Sequence, residues 1–168
     1  MKIFLTGFMG SGKSSYGKRL ARTMGFNFID LDEYIESQEN LKISEIFNKY
    51  GEEYFRKIEQ KHLRSLLRKD DIVISTGGGT ACYFTNMDEI NSGGISIYLE
   101  MSNKALLNRL ESSKKKRPKI SNMNPEEMYE FIEKTMIERE PFYNKAKIKV
   151  NALGLDVKEL LNLIKVYK

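Results

Sequence analysis

A glycine-rich segment near the start of the chain has the residue types and spacing of a phosphate site. Residues 7–14 read GFMGSGKS and match G-x-x-x-x-G-K-[ST] at every fixed position. Glycines let backbone N–H groups surround a phosphate, and the positive end of the following helix points to the same place. In this pattern Lys13 reaches the β- and γ-phosphates, and the Ser14 hydroxyl can ligate Mg²⁺. The expected ATP contacts are Gly10, Ser11, Gly12, Lys13, Ser14 and Ser15.

Two carboxylates follow the next apolar run. Asp30 and Asp32 come directly after residues 27–29, and side chains at i and i+2 of an extended chain point to the same side. One carboxylate can hold the Mg²⁺ shell through water, while the other accepts the proton of an attacking hydroxyl or orients it. Aspartate is also a favoured helix N-cap, so capping alone is the structural alternative.

The elements that position these residues alternate between strands and helices. Strands are predicted at residues 2–6, 27–29, 71–75, 95–99 and 147–150. Helices are predicted at 14–25, at 43–69 with a break near Gly51, from 102 towards 111, at 125–139 and after 156. Such alternation predicts an α/β fold, a parallel sheet covered on both faces with ligands at the carboxyl ends of its strands.

The bulk composition indicates a single soluble domain, residues 1–168. The chain is 40% hydrophobic and 30% charged, and no apolar run approaches the length of a membrane span. The N-terminal residues lack the pattern of a signal peptide. A lone cysteine, Cys82, cannot form an internal disulfide, which favours a reducing compartment. We therefore expect a cytoplasmic protein that binds no membrane.

The net charge of +5 suits either small anions or nucleic acid. The densest basic run, residues 114–117, contains none of the aromatic residues that nucleic-acid binders often interleave. This favours small anionic ligands and predicts no nucleic-acid partner. A solvated lysine-rich loop is the simpler explanation for the run itself.

Six motifs, in their order along the chain, resemble the shikimate kinases. They are the glycine-rich segment at 7–14, Asp30-x-Asp32, GEEYFRKIE at 51–59, three glycines at 77–79, Arg117-Pro118 and Arg139-x-Pro-x-Tyr. The first motif is shared by many nucleotide-binding proteins, but the ordered set is far more selective. The resemblance spans residues 2–143. It implies a three-layer α/β/α P-loop kinase fold with five parallel strands in the order 2-3-1-4-5, a mobile lid at about 112–124 and a substrate-binding helical region at about 31–62.

The resemblance also implies roles for the acceptor side. Asp30, with Ser14, would lie near Mg²⁺, and Asp32 would bind the shikimate hydroxyls as candidate general base. Arg56 and Arg139 would bind the shikimate carboxylate, and Gly78 and Gly79 would approach its ring. A guanidinium pairs bidentately with a carboxylate, and Glu59, one helical turn after Arg56, can hold it in place. Without the resemblance, a surface ion pair, a helix-terminal arginine and a flexible turn would explain these residues.

Two arginines would serve the nucleotide. Arg117 resembles a lid arginine that arrives over the phosphates and completes a catalytic set with Lys13 and Asp32, and Arg109 resembles one that stacks on adenine. The chain also departs from the family: Lys119-Ile120 follows Arg117-Pro118, where apolar residues are common. No arginine follows Arg139, so further adenine contacts must come from Asn151, lysines or backbone.

The implied reaction is ATP-dependent phosphorylation of the 3-hydroxyl of shikimate, giving shikimate 3-phosphate and ADP, in aromatic amino-acid (chorismate) biosynthesis. ATP is the co-substrate, Mg²⁺ the cofactor, and a monomer is expected. One alternative is another small-molecule kinase, of the gluconate or nucleoside-monophosphate type. Another is a non-catalytic nucleotide- or nucleic-acid-binding protein. Two further residues are expected to have no catalytic role: His62, on a helix surface, and Cys82, as a small buried residue.

Overall fold

Five parallel strands form one sheet in the order β2-β3-β1-β4-β5, which confirms the expected topology. The structure is a computed structural model and describes residues 1–113 and 119–167. The strands are β1 (Lys2–Thr6), β2 (Asn27–Asp30), β3 (Ile72–Ser75), β4 (Ile95–Glu100) and β5 (Ile148–Asn151). The helices are α1 (Lys13–Met24), α2 (Leu31–Glu39), α3 (Ile43–Leu66), α4 (Asn86–Gly93), α5 (Asn103–Ser112), α6 (Pro125–Tyr143) and α7 (Val157–Lys165). In these described ranges, no helix combines the length and apolar character that crossing a membrane requires.

The central strand is buried on both faces, as a parallel sheet covered by helices requires. Ile3 and Leu5 point into the core that includes residues of α1 and α7, whereas Phe4 points into a second core beside α2 and α3. All three side chains are fully buried. Alternating side chains of one strand therefore hold helices on opposite faces of the sheet.

The strand register brings the chemically unusual segments to one edge. Leu5 and Asp30 both pair with Ser75, so β1, β2 and β3 end almost level with one another. The glycine-rich loop, the two aspartates and the three glycines leave the sheet just beyond these positions. Their convergence follows from the apolar strand lengths and the parallel register.

The helices differ from the sequence prediction in two places. Helix α6 continues past Arg139 to Tyr143 and contains Pro141 in its last turn. Tyr143 is fully buried with its ring 5.1 Å from that of Tyr98, and this packing stabilises the extra turn. Helix α4 was not predicted. In contrast, the break at Gly51 is confirmed, because this residue has the non-helical angles φ 81° and ψ 174°.

The expected helix-surface position of His62 is wrong. Its side chain is buried between α2 and α3, where Nε2 lies 2.6 Å from Glu39 Oε1. Helix α2 packs against a face of α3 that the sequence pattern did not assign to the core. Cys82 is partly buried as expected, and burial raises the pKa of its thiol to about 11, which disfavours the reactive thiolate.

Candidate active site

The glycine-rich loop between β1 and α1 has a backbone that other residues would strain. Gly7 and Gly12 have φ angles of 136° and 94°. A Cβ on Gly7 would lie 2.9 Å from the Leu99 carbonyl oxygen, and one on Gly12 would lie 3.0 Å from Arg109 Nη1. These two positions require glycine, and the loop they form leads directly into the N-terminus of α1. Backbone N–H groups at a helix N-terminus and the helix dipole suit a phosphate.

Two side chains of this loop are arranged for an anionic ligand. Lys13 is buried, and its Nζ donates to the carbonyl oxygens of Gly7 and Phe8, both at 2.8 Å. The Ser11 hydroxyl is fully buried and has no hydrogen-bond partner among the described residues. A buried hydroxyl without a partner is costly unless a ligand or water satisfies it. The loop thus contains a buried cation and a buried hydroxyl that has no partner among the described residues.

Asp30 caps a helix and at the same time binds a side chain at the start of α1. Its Oδ1 caps α2 by accepting from the Asp32 backbone N–H at 3.1 Å. Its Oδ2 accepts from the Ser14 hydroxyl at 2.7 Å, and the Ser75 hydroxyl lies 3.3 Å from that of Ser14. Capping orients the carboxylate, and its second oxygen then binds Ser14 directly after the phosphate loop.

The oxygens of Ser14 and Asp30 suit Mg²⁺, which binds few protein groups. They suit less well a metal whose ligands all come from protein side chains. Within residues 1–113 and 119–167, no three histidine, cysteine or acidic side chains gather into a metal site. Mg²⁺ typically takes one or two protein oxygens and completes its shell with water and phosphate. The donor set at this edge matches that preference.

The three glycines after β3 form the meeting point of the acceptor residues. A Cβ on Gly77 would lie 2.9 Å from Asp32 Oδ1, and one on Gly79 would lie 2.7 Å from Arg56 Nη2. A Cβ on Gly78 would lie 3.3 Å from Arg139 Nη1 and 3.4 Å from the Met9 backbone nitrogen in the phosphate loop. Side chains from α2, α3 and α6 therefore contact one backbone segment, which itself touches the phosphate loop.

Arg56 is held by a buried ion pair. Arg56 and Glu59 are only 5% and 1% exposed, so the surface ion pair weighed from the sequence is wrong. Arg56 Nη1 donates to Glu59 Oε2 at 2.8 Å, while the Thr80 hydroxyl donates to Glu59 Oε1 at 2.6 Å. With both of its oxygens bound, the Glu59 carboxylate cannot rotate freely. It therefore fixes the guanidinium beside Gly79.

A second, more exposed carboxylate occupies the other edge of Arg56. Glu52 Oε1 accepts from Arg56 Nε at 3.3 Å and Nη2 at 3.0 Å, and also from the Tyr83 hydroxyl at 3.0 Å. Partial burial would raise the pKa of Glu52, but the hydrogen bonds from Arg56 and Tyr83 lower it overall. Glu52 is therefore a carboxylate bound where an anionic acceptor would bind.

Arg139 lies in the last part of α6, which is anchored at the glycine loop. The Tyr143 hydroxyl, one turn later, donates to the Gly78 carbonyl oxygen. The Arg139 guanidinium lies 6.0 Å from the centroid of the Phe8 ring. The buried tyrosine thus positions Arg139 between the phosphate loop and the glycine loop.

On the nucleotide side, Arg109 lies beside the phosphate loop. Its Nη1 donates to the Gly10 carbonyl oxygen at 3.4 Å. Arg117 and Pro118 lie outside the described residues, so the expected lid arginine stays a prediction. Asn151, at the end of β5, lines a different cavity from Arg109.

Two cavities have similar volumes, so size alone does not decide which one suits the ligand. The one at the phosphate loop has about 460 Å³ and is lined by residues that include Lys13, Ser14, Asp30, Asp32 and Arg109. A cavity of about 550 Å³ lies between α6 and the ends of β4 and β5. Its lining includes Glu100, Glu133 and Glu140, whose negative charge would repel a polyphosphate. The smaller cavity therefore suits the nucleotide better.

Four contacting residues were missed by sequence reasoning. They are Glu52, Thr80, Tyr83 and Tyr143. Thr80 follows the three glycines directly, and Tyr143 ends the last motif, so position beside a motif was the available signal. Nothing in the local sequence shows that Tyr83 and Glu52 meet.

Comparisons with known proteins agree with this geometry. A family model described as shikimate kinase matches residues 9–165. A shikimate kinase of Parabacteroides distasonis is 44% identical over 151 residues, covering 90% of this chain and 87% of the relative. The crystal structure of a shikimate kinase from Bacteroides thetaiotaomicron superposes with a TM-score of 0.95 at 36% identity, covering 98% of each chain. A shikimate kinase from Acinetobacter baumannii in complex with shikimate has a TM-score of 0.86 at 32% identity, covering 99% of this chain and 94% of the other.

Removing the buried carboxylate of Glu59 should destabilise the fold far more than removing the more exposed carboxylate of Glu52, although both bind Arg56. Glu59→Ala leaves the buried Arg56 charge without its main partner, and we expect the free energy of unfolding to fall by about 3–5 kcal/mol. Glu52→Ala is the matched control, since Glu52 is 48% exposed, and should cost below about 1 kcal/mol. Urea denaturation of both variants measures the difference. Equal losses would contradict the assignment of Glu59 as the anchor.

Proposed function

This chain belongs to the shikimate kinase family, and we propose that its site transfers the γ-phosphoryl group of ATP to the 3-hydroxyl of shikimate. The observation that carries this proposal is the loop at 77–79, which contacts Asp32, Arg56 and Arg139 on one side and the phosphate loop on the other. An anionic acceptor bound there lies next to the phosphates. The product, shikimate 3-phosphate, fits a role in aromatic amino-acid (chorismate) biosynthesis.

Lys13 and the glycine-rich loop bind the phosphates of ATP in this proposal. In the structure Lys13 donates to two backbone carbonyl oxygens, and exchanging these for phosphate oxygens would keep its hydrogen bonds satisfied. Ser14 and Asp30 would hold a Mg²⁺ ion, which supplies neutralisation of charge on the phosphate oxygens when bound.

Arg56 and Arg139 bind the acceptor carboxylate. Arginine suits this role because its planar donors match the two oxygens of a carboxylate. Glu52 occupies the Nε and Nη2 edge of Arg56 and Glu59 binds Nη1, so the substrate carboxylate would use the remaining N–H groups of Nη1 and Nη2 or exchange with Glu52. Such exchange of one carboxylate for another keeps the guanidinium hydrogen-bonded throughout. Gly78 and Gly79 leave room for the ring.

Asp32 orients the attacking hydroxyl and accepts its proton. Its carboxylate lies beside Gly77, on the same edge as Ser14 and Asp30. Phosphoryl transfer has a loose transition state, so catalysis depends chiefly on position and charge. A carboxylate at this point can do both, since it binds the hydroxyl before reaction and takes its proton as the new P–O bond forms.

Several expectations extend beyond this core. Arg117 as the lid arginine, Arg109 against adenine, the lid at 112–124 and the helical substrate region at 31–62 stay predictions, as do a single domain, a monomer and a cytoplasmic location. The gluconate and nucleoside-monophosphate alternatives are not favoured, because the relatives and solved structures described above are shikimate kinases. A pair of arginines at the acceptor site also suits a carboxylate better than a nucleotide base.

A coupled assay of ADP release tests the proposed substrate. We expect Mg²⁺-dependent ADP release with shikimate, and only background release with gluconate or nucleoside monophosphates. Omitting the acceptor controls for ATP hydrolysis by water. Faster turnover of a nucleoside monophosphate than of shikimate would contradict the assignment.

Replacing Asp32 separates catalysis from nucleotide binding. Because the carboxylate acts on the hydroxyl, Asp32→Asn should lower kcat by about 10²- to 10⁴-fold. The dissociation constant for ATP, measured by calorimetry, should barely change. Asp88→Asn, an exposed position on α4, is the matched control and should retain normal turnover. Undiminished kcat in Asp32→Asn would remove Asp32 from the reaction.

A further inference from the structure

Lys119 approaches the acceptor side of the site from the segment that precedes α6. Its Nζ lies 5.4 Å from the centroid of the Phe47 ring. That ring packs at 4.7 Å against Phe55, whose ring in turn lies 5.1 Å from Arg56 Cζ. The neighbouring Ile120 is 5% exposed and belongs to the core, which anchors the backbone at this point. Lys119 thus contacts the aromatic pair that packs against Arg56, and it is near enough to Arg56 and Arg139 for their charges to act on it.

The balance of charge around Arg56 favours a further cation. The single positive charge of Arg56 faces two carboxylates, Glu52 and Glu59. Among the residues that the structure describes, Arg139 and Lys119 form no ion pair within 4.0 Å. The positive potential needed to attract an anionic acceptor therefore comes from these two residues rather than from Arg56 alone.

The electrostatics of Lys119 place it in the same charge cluster. The pKa of Lys119 is lowered, chiefly because partial burial disfavours the ammonium form. The charges that act on it are those of Glu52 and Arg56 on α3 and of Arg139 on α6. Partial desolvation and the two guanidinium charges disfavour the ammonium, and the Glu52 charge offsets this only in part because the pKa is lowered overall. A bound anion would offset more of that cost.

We propose that Lys119 is a specificity-determining residue that binds the acceptor carboxylate together with Arg56 and Arg139. This inference rests on the proposed function, because it assigns one more contact to the same acceptor. The contact would favour carboxylate acceptors over neutral ones.

Steady-state kinetics of two Lys119 variants test the proposal. Lys119→Met removes the charge but keeps a similar length, and should raise the KM for shikimate about 5-fold, as expected for a partly exposed ion pair of ~1 kcal/mol. The KM for ATP should stay unchanged, and kcat should change by a smaller factor than the KM for shikimate. Lys119→Arg retains the charge and should restore most of the affinity. Lys165→Met, an exposed position on α7, controls for the loss of one net charge.

A substrate analogue identifies the group that Lys119 binds. With the carboxamide of shikimate as acceptor, the wild-type enzyme and Lys119→Met should have the same KM, because the analogue carries no charge. An equal rise in KM for shikimate and the carboxamide would overturn the proposal, as would an unchanged KM for shikimate. Failure of the wild-type enzyme to phosphorylate shikimate would instead refute the proposed function itself.

Discussion

The close approach of charged side chains to the backbone at 77–79 is the constraint on which the site depends. Asp32, Arg56 and Arg139 come from three helices, and each would lie within 3.3 Å of a Cβ added to one of these glycines. Side chains at these positions would push the charged groups apart or move the loop away from the phosphate loop. Because β1, β2 and β3 end at the same level, the segments that follow them lie close together. The absence of side chains on the three glycines lets the charged groups approach the backbone.

Burial of the Arg56–Glu59 pair turns this proximity into a fixed geometry. Both groups have lost most of their contact with water, and a buried ion pair seldom adds net stability. Its value here is orientation, because Thr80 and Arg56 bind opposite oxygens of Glu59. A guanidinium that is already oriented need not be ordered when the acceptor binds, so more of the binding energy is available to hold it.

The sequence predicted the residues of the site better than their surroundings. Fixed spacing identified Lys13 and Ser14, and apolar runs located the strand ends that place Asp30 at the ligand edge. The burial of side chains could not be predicted so well. Glu59 and Arg56 have the spacing of an ordinary surface pair. His62 was expected on a helix surface because its burial depends on packing against α2, which the sequence does not show. The extra turn of α6 depends on packing of Tyr143 against Tyr98, and the direction of Lys119 depends on Phe47. Both are tertiary contacts without a local sequence signal.

A crystal structure of the protein with shikimate and a non-hydrolysable ATP analogue tests the central claim most directly. The shikimate carboxylate should contact Arg56 and Arg139, one ring hydroxyl should contact Asp32, and that hydroxyl should face the terminal phosphate held by Lys13. A carboxylate bound away from both arginines, or a ring hydroxyl directed away from the phosphate, would contradict the account.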